Sequence, residues 1–199
     1  MAISKEFSEI LGFLCAEGCY VNSRSSYTYL DKKRNKIVKA NNKLQKRIEF
    51  GNKNKILLDR FQSLLAREFN YSPRIGSDRI CICKYSVVDS ILNQTPIGHL
   101  KWRVPEEVKK SDDLELIKSF IRGYFEGDGT ISNRLRLFST NYSGLKEVSE
   151  LLTKLNINHN FKGPYVKEGK KDSFEIYVFE REKLNFIKQI SPITKKLNF

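Results

Sequence analysis

Apolar positions along the chain follow two different periods, and the changes between them predict its secondary structure. In residues 7–17, 58–65 and 114–128, hydrophobic side chains recur every three or four positions, as they do on one face of a helix. Polar and apolar residues alternate in 47–50 and 134–137, and a period of two is typical of a half-buried strand. The chain is therefore expected to combine helices with antiparallel strands.

The same order of elements occurs twice. The segment RIEFGNKN, which begins at Arg47, resembles RLRLFSTN, which begins at Arg134, and a helical pattern follows each of them. In both halves a further apolar strand and helix come next, at 79–83 with 87–92 and at 174–179 with 184–190. Self-similarity of this kind indicates a duplicated structural unit.

Each half thus predicts a helix, a hairpin, a helix, a second hairpin and a last helix. We predict an α+β fold made of two αββαββα repeats, the first at 1–95 and the second at 112–199. A linker at 96–111, rich in turn-forming Pro and Gly, would join them. Asp112 and Glu115 are expected to cap the first helix of the second repeat.

The leading helices of the two repeats end in similar strings, ILGFLCAEG in the first and IRGYFEGDG in the second. Each string carries small residues four positions apart, Gly12 with Ala16 and Gly123 with Gly127. Because a glycine inside a helix costs about 1 kcal/mol relative to alanine, glycines at matching places suggest a packing reason. We predict that the two helices pack closely through these stripes about a pseudo-twofold axis.

A carboxylate and then a glycine follow each stripe. The packing would place Glu17 and Asp128 side by side at the C-terminal helix ends, with Gly18 and Gly129 as left-handed helix-ending residues. Like charges repel, and the negative end of each helix dipole disfavours them further. A bound divalent cation would relieve both effects.

Oxygen ligands of this kind suit Mg²⁺, which prefers carboxylates and other hard donors. Glu17 and Asp128 are the predicted metal ligands, and the backbone carbonyls of Ala16 and Gly127 are further candidates. A single motif of this form would be typical of an ordinary core helix with a capping glycine. Two copies, each at the head of the same repeat, favour a functional pair.

The two strings resemble the paired signature of the LAGLIDADG homing endonucleases, in the single-chain form that carries two motifs. The resemblance continues in the segment VPEE that begins at Val104 and in the strand RLRLFSTN, so it covers nearly the whole chain. It implies that the repeats pack through their motif helices. It also implies saddle-shaped antiparallel sheets that lie in successive major grooves of DNA, and a monomer with internal symmetry.

The resemblance further implies Mg²⁺-dependent cleavage of both strands of a long, asymmetric DNA target, leaving short 3′ overhangs. Glu17 and Asp128 would each hold Mg²⁺ near one scissile phosphate, Mn²⁺ would substitute, and Ca²⁺ would support binding without cleavage. Lys84 and Arg181 match places where the family often has a basic residue beside the reaction. Gln45 falls near the place of a polar residue that orients water in relatives, and all three are predicted catalytic residues.

Charge also indicates a polyanionic partner, since 36 Lys and Arg residues against 23 Asp and Glu residues give a net charge of +13. A basic arm at 22–47 contains Asp31 as its one acidic residue, and this arm has no counterpart in the second half. Basic, amide and aromatic side chains of both halves are the predicted DNA contacts: Arg24, Tyr27, Tyr29, Lys32, Lys33, Arg34, Lys39, Asn41, Lys43, Arg47, Glu49, Arg134 and Arg136.

Strand alternation predicts which of these side chains share a face. Counting from Lys39, the odd positions up to Glu49 would face the DNA. Leu44, Ile48 and Phe50 would face the core. In the second half the arginines at 134 and 136 would point outward, and the leucines at 135 and 137 inward.

Other features bear on compartment and on membranes. The four cysteines lack the C-x2-C spacing of a zinc knuckle, which favours buried free thiols in a reducing compartment such as a mitochondrion, a plastid or a prokaryotic cytoplasm. The longest apolar run, 10–16, is too short to span a bilayer, so a soluble protein with no targeting segment is expected.

The residues also bear on three other functions. An intron-encoded maturase that binds its own intron RNA would keep the sheets and could keep the acids. A DNA-binding regulator on this scaffold should have lost an acid, and Glu17 and Asp128 are both present. Intein splicing is not expected, because the sequence starts at Met1 without a nucleophile and its last residues lack the His-Asn pair.

His99 and His159 lie in different halves, which does not favour a histidine metal site or general base.

Overall fold

Two helices packed against each other organise the fold: α1 (Lys5–Glu17) leads the first half and α5 (Leu114–Asp128) leads the second. The computed structural model describes residues 3–132, 134–166 and 168–195. The first half continues with β1 (Gly18–Asp31), β2 (Lys36–Gly51), α2 (Lys55–Phe69), β3 (Arg79–Ile82) and α3 (Tyr85–Gln94). The second half contains β4 (Gly129–Ile131), β5 (Leu135–Ser139), α6 (Tyr142–Lys154), β6 (His159–Tyr165), β7 (Ser173–Val178) and α7 (Lys183–Ile190).

The sheets are antiparallel, with strand order β1-β2-β3 in the first half and β4-β5-β7-β6 in the second. The predicted α+β fold of two repeats is confirmed. One strand of the first repeat is reduced to a single bridge between Ile75 and Ile80. Pro73 has no N–H to donate to a ladder, and Gly76 bonds to Arg79 in a tight turn, so the chain there does not extend far enough for a regular strand.

Side-chain caps determine where the two central helices begin. The Ser4 hydroxyl accepts a hydrogen bond from the Phe7 amide at the start of α1. At the start of α5 the cap is Asp113, whose carboxylate accepts from the Glu115 amide at 2.9 Å. The prediction that Asp112 caps this helix was therefore wrong by one residue, because a cap must have extended backbone immediately before the first helical residue.

The helices α1 and α5 approach each other through the glycine stripes. A Cβ atom on Gly12 would lie 2.1 Å from the carbonyl oxygen of Phe120, and one on Gly123 would lie 2.2 Å from the carbonyl oxygen of Glu9. A Cβ atom on Gly127 would lie 2.5 Å from Cβ of Ala16. The two backbones are thus in direct contact, which is the packing predicted from the sequence.

The glycines after the two helices have a different role from the predicted one. Gly18 has φ −82° and Gly129 has φ −97°, so both are extended and the predicted left-handed conformation is wrong. Glycine is needed at both positions because a side chain would not fit there. A Cβ atom would lie 2.3 Å from the carbonyl oxygen of Leu14 at Gly18, and 2.0 Å from the ring of Phe125 at Gly129.

The predicted linker is part of the hydrophobic core. It contains α4 (Glu106–Lys110) and buries Trp102, which is 2% exposed and packs against Tyr124 with ring centres 5.2 Å apart. Asn141 at the start of α6 donates to the Trp102 carbonyl at 2.7 Å. The connector therefore fixes the second half of the chain to α5, and the exact domain boundaries stay a prediction.

All four cysteines are free thiols, and only Cys15 is buried. Cys19 and Cys83 are exposed, so the expectation of buried thiols was wrong for these two. Both lie at the edge of the first sheet, where side chains alternate towards solvent. In the described residues, no helix combines the length and the hydropathy needed to cross a membrane.

Candidate active site and nucleic-acid interface

The two predicted catalytic acids come together where the central helices end. Glu17 is the last residue of α1 and Asp128 the last residue of α5, and both line one cleft of about 540 Å³. Residues from the connector and from β5 close the sides of this cleft, among them Trp102 and Phe138. The close contact of the glycine stripes is what places two carboxylates from distant parts of the chain at one point.

The electrostatics of the pair are unfavourable without a cation. Burial first, and then the charge of the Glu17 carboxylate, raise the pKa of Asp128 from its ordinary 3.8 to about 7. Loss of solvation also raises the pKa of Glu17. The ammonium group of Lys195 acts in the opposite direction on both carboxyl groups. A positive charge bound between the two acids would therefore be strongly stabilised.

The raised pKa predicts how stability responds to pH. In the unfolded chain the Asp128 carboxyl group is ionised at any pH above its ordinary pKa of 3.8. In the folded protein it keeps its proton up to about pH 7. The contribution of Asp128 to the free energy of unfolding is therefore present at low pH and is lost as the pH rises through about 7. Without metal at about pH 8, we expect Asp128→Asn to be more stable than the original chain by on the order of 2–4 kcal/mol, as judged by denaturant unfolding.

This difference should shrink as the pH falls from about 7 towards 4, because Asp128 is then protonated in the folded protein. Asp59→Asn, at an exposed position of α2, provides the matched control and should change stability little at either pH. A gain for Asp128→Asn that is larger in acid than in alkali would contradict the assignment.

Lys195 is a site residue that the sequence analysis missed. Its ammonium group donates to the carbonyl oxygens of Phe125 at 2.5 Å and of Gly129 at 2.6 Å, and it lies 3.4 Å from that of Gly127. Burial lowers the pKa of Lys195, and the neighbouring carboxylates, Glu126 first among them, partly oppose that shift. Nothing in the local sequence signals this placement, because it depends on the chain returning to α5 after α7.

The donors at the helix ends fit a divalent cation. Glu17 and Asp128 supply carboxylate oxygens, and the carbonyl groups of Ala16 and Gly127 lie at the open ends of the same helices. In the described part of the chain, no group of three or more His, Cys, Asp or Glu side chains forms a metal cluster. The donor set is therefore two carboxylates with backbone carbonyls, which is chemistry suited to Mg²⁺ when water and phosphate oxygens complete the shell.

His99 is a second residue that sequence reasoning set aside. It lies in the connector, is exposed, and lines the cleft that holds Glu17 and Asp128. Its Nε2 is 3.3 Å from the Thr140 hydroxyl. The connector crosses the ends of the motif helices, so a histidine that belongs to neither repeat comes to lie beside the acids.

The other three predicted catalytic residues do not line this cleft in the described structure. Lys84 is exposed at the N-cap of α3, directly after β3, with Nζ 5.8 Å from the centre of the Tyr71 ring. Arg181 lies in a short 3-10 turn before α7, over the Phe179 ring at 5.8 Å. Gln45 lies on β2. Their catalytic roles stay predictions.

Part of the predicted DNA face of the first sheet is present. Gln45, Arg47 and Glu49 are alternate residues of β2, so their side chains lie on one face of the sheet. The β1 residues that pair with them have their side chains on the same face. Arg47 bonds to Glu49 at 2.6 Å and to Gln45 at 2.7 Å. Gln45 also donates to the Ser25 hydroxyl at 2.7 Å. These bonds hold an array of donors and acceptors suited to reading base edges in a major groove.

A bulge changes the face of residues further along the arm. Ser25 pairs with Lys43, but Tyr27 pairs with Ala40, so β2 carries one extra residue there, with Asn42 at φ 52°. Lys39 pairs with Thr28 and therefore lies on the opposite face from Lys43. The predicted alternation from position 39 was wrong for this reason.

Two more residues lie on the side of the ribbon opposite Lys43. Arg24 pairs with Leu44, which puts Arg24 on the same side of the ribbon as Lys39, opposite Lys43. Leu44 was predicted to face the core and lies on that side of the ribbon, but it is 47% exposed. Asn41 lies within the bulge itself.

The tip of the arm presents aromatic and basic side chains to solvent. Tyr27 and Tyr29 lie on the same face of β1, with ring centres 5.9 Å apart. The turn at 32–34 holds Lys32, Lys33 and Arg34, all exposed, and Asp31 accepts from the amides of the last two. The arm thus offers stacking surfaces and charges that could follow a phosphate backbone.

Replacing the three basic residues at 32–34 by alanine tests this part of the interface. Binding to duplex DNA should weaken across sequences, and the slope of log affinity against log salt should flatten by up to about 0.9 per lost phosphate contact. Fluorescence anisotropy over a range of salt concentrations measures both. Alanine at the exposed helical lysines Lys55, Lys110 and Lys188 removes the same charge elsewhere, and an equal change in slope there would contradict a specific role for the arm.

The second sheet has the predicted orientation of its arginines. Leu135 and Leu137 are fully buried, whereas Arg134 is exposed and Arg136 is half-buried. The Arg136 guanidinium lies over the Phe138 ring at 4.9 Å and forms an ion pair of 3.5 Å with Glu175, and Arg134 lies over the Tyr177 ring at 5.6 Å. The outer face of this sheet is therefore also basic and aromatic.

Comparison with known families and structures shows which proteins have a similar domain and fold. Residues 115–191 match the family of LAGLIDADG-like domains. The resemblance predicted from the two motifs is confirmed: the second half carries a LAGLIDADG-like domain, and the whole chain has the two-motif fold. The cleft at the helix ends is then the place to seek function.

Several solved structures share this fold. A mesophilic variant of the homing endonuclease I-DmoI superposes with a TM-score of 0.64 at 16% identity, covering 97% of this chain and 98% of that one. I-DmoI in complex with DNA and Ca gives 0.65 at 16% identity, covering 96% and 91%. The N-terminal LAGLIDADG domain of WhiA gives 0.54 at 18% identity, covering 98% and 87%.

Among curated proteins, a DNA polymerase of Methanocaldococcus jannaschii is 25% identical over 199 residues. The match covers 96% of this chain and 12% of the polymerase. The chain therefore spans about an eighth of the length of that relative.

Proposed function

We propose that the chain is a site-specific endonuclease that makes metal-dependent double-strand breaks in a long, asymmetric DNA target, leaving short 3′ overhangs. One observation carries the proposal: two carboxylates from packed helices meet in a cleft between two sheets whose outer faces are basic and aromatic. A duplex held along both sheets would pass its backbone over the acids.

The relatives support the same function. I-DmoI is a homing endonuclease, and its structures include complexes with its target DNA in the presence of Mn and of Mg, and a complex with DNA and Ca. These support double-stranded DNA as the partner and divalent metals as cofactors, with Mg²⁺ as the proposed cofactor, Mn²⁺ as a substitute, and Ca²⁺ supporting binding without cleavage. A monomer is proposed because one chain supplies both acids. An intron-encoded origin and a reducing compartment stay predictions.

This chain's residues contribute position and charge to the proposed hydrolysis. The contact between α1 and α5 holds Glu17 and Asp128 at a fixed separation, so each can serve one strand. A divalent cation held by these carboxylates would supply an activated water and neutralise charge developing on the scissile phosphate. Trp102 and Phe138 line the same cleft as the two acids.

The two halves of the site are chemically unequal. One acid is an exposed Glu and the other is a half-buried Asp, and the long basic arm belongs to the first half alone. The two strands of the target should therefore be contacted differently, which matches an asymmetric target. Individual base contacts by Arg47, Glu49, Arg134 and Arg136 are part of the proposal.

A cleavage selection on a randomised duplex library tests the function. The library is incubated with the protein in Mg²⁺, Ca²⁺ or EDTA, and cut molecules are sequenced, with Glu17→Gln as the paired variant. Enrichment of one long motif in Mg²⁺ alone, lost in the variant, is the expected result. Duplex binding without cutting in any metal would favour a DNA-binding regulator. Absence of duplex preference, with binding to intron RNA, would favour a maturase.

A further inference from the structure

The segment that follows α7 returns to the end of α5 and places the Lys195 ammonium group on backbone carbonyls that flank Asp128. We propose that Lys195 is a built-in competitor for the divalent cation: its ammonium group occupies the α5 side of the site until a metal ion displaces it. The inference rests on the proposed metal centre at Glu17 and Asp128, and it adds a regulatory step to that centre.

The ammonium group occupies the position of a cation at the helix end. It bonds to the carbonyl oxygens of Phe125 and Gly129 and contacts that of Gly127, which is also a candidate metal ligand. The ring of Phe125 lies 5.1 Å away and adds a cation–π contact. Carbonyl groups at the C-terminal end of a helix attract positive charge, so one group of oxygens would serve either an ammonium or a metal ion.

A buried acid holds the segment in place. Glu126, which is 2% exposed, accepts from the amides of Ile193 at 2.5 Å and Thr194 at 3.1 Å, and from the Thr194 hydroxyl at 2.5 Å. Arg122 donates to the carbonyl of Ile190 at 2.7 Å just before it. Both anchoring side chains belong to α5, so the helix that ends in Asp128 also fixes the lysine whose charge acts on this acid.

The competition would act on one side of the centre. The bonds of Lys195 go to α5 and to the first residue of β4, and in the described residues no lysine side chain donates to the carbonyl of Ala16 on α1. A metal ion held through Glu17 and Ala16 would meet little obstruction. An ion that uses Gly127 must first displace the ammonium group, which couples metal binding to release of 193–195.

Calcium titration by calorimetry on the full chain without DNA tests the proposal, because Ca²⁺ can bind without supporting reaction. Lys195→Met keeps the apolar stem and removes the charge, and it should bind Ca²⁺ about tenfold more tightly than the original chain. Without metal the same variant should unfold at a lower temperature, and saturating Ca²⁺ should restore it. Lys188→Met, an exposed position on α7, removes the same charge and should change neither quantity.

A second variant and a second readout keep the test decisive if Lys195→Met folds poorly. Thr194→Val removes one bond to Glu126 and should raise Ca²⁺ affinity by a smaller factor. In the original chain, hydrogen exchange of the Ile193 and Thr194 amides should accelerate when Ca²⁺ saturates the site, a change that a purely structural lysine would not produce.

The outcomes separate this inference from the proposed function. Equal Ca²⁺ affinity in the original chain and Lys195→Met, with amide protection unchanged by Ca²⁺, would overturn the competition and leave the metal centre standing. Weaker binding in the variant would overturn it as well, since Lys195 would then assist the metal ion. Failure of every chain to bind Ca²⁺ would remove the metal centre and the competitor together.

Discussion

Glu17→Gln and Asp128→Asn should each reduce DNA cleavage by on the order of a thousandfold or more, while DNA affinity stays largely unchanged. Each substitution removes one negative charge and one carboxylate ligand but keeps the shape of the side chain. The basic side chains of the strands and of the arm do not line the cleft that holds the acids. Cleavage rates and equilibrium binding on a selected target, measured side by side, provide the check.

The inequality of the two acids sharpens this expectation. If each acid serves one DNA strand, each single variant should leave some product in which only one strand is cut. The uncut strand in the Glu17→Gln product should be the one that is cut in the Asp128→Asn product. Glu150→Gln and Asp59→Asn make the same changes at exposed helical positions and should cut normally. Parallel loss of binding and cleavage would instead mean that the acids maintain the helix contact.

Gly123→Ala should destabilise the protein by about 3 kcal/mol or more, which is large for the addition of one methyl group. The new Cβ atom would lie 2.2 Å from the carbonyl oxygen of Glu9 and 2.8 Å from the amide nitrogen of Phe13. Both neighbours are backbone atoms of α1, so relief requires the two helices to separate. Denaturant unfolding of the variant and the original chain measures the loss.

Separation of the helices would also move Glu17 relative to Asp128. At temperatures where Gly123→Ala stays folded, cleavage should therefore fall more than DNA binding. Gly51→Ala is the matched control, because the nearest atom to its added Cβ is 3.9 Å away and the position is not at the helix contact. Near-normal stability of Gly123→Ala would show that α1 and α5 can shift without cost.

Predictions from sequence succeeded where the relevant interactions are local or repeated. The end of α1 and both bounds of α5 follow from apolar periodicity, and the duplicated small-residue stripe identified which faces of these helices meet. Alternation correctly oriented Arg134 and Arg136 relative to the buried leucines between and after them. Each of these features depends on residues a few positions apart, which the chain presents directly.

Errors arose where one residue changes the geometry of its surroundings. The bulge at Asn42 reversed the face of Lys39, and nothing in the polar composition of the arm marks the extra residue. Gly18 and Gly129 matched a common helix-ending pattern, but the crowding of Leu14 and Phe125 is the reason that a side chain would not fit there. Both cases depend on neighbours that periodicity does not represent.

The sequence by itself determined the two repeats, the helix pair, the acids at its end and the excess of positive charge. Tertiary structure alone decided which other side chains lie near the ends of the two helices. His99 reaches the cleft through the path of the connector, and Lys195 through the return of the chain to Glu126 after α7. Periodicity records interactions between residues close in sequence, whereas these contacts join segments whose proximity is set by the packing of the whole core.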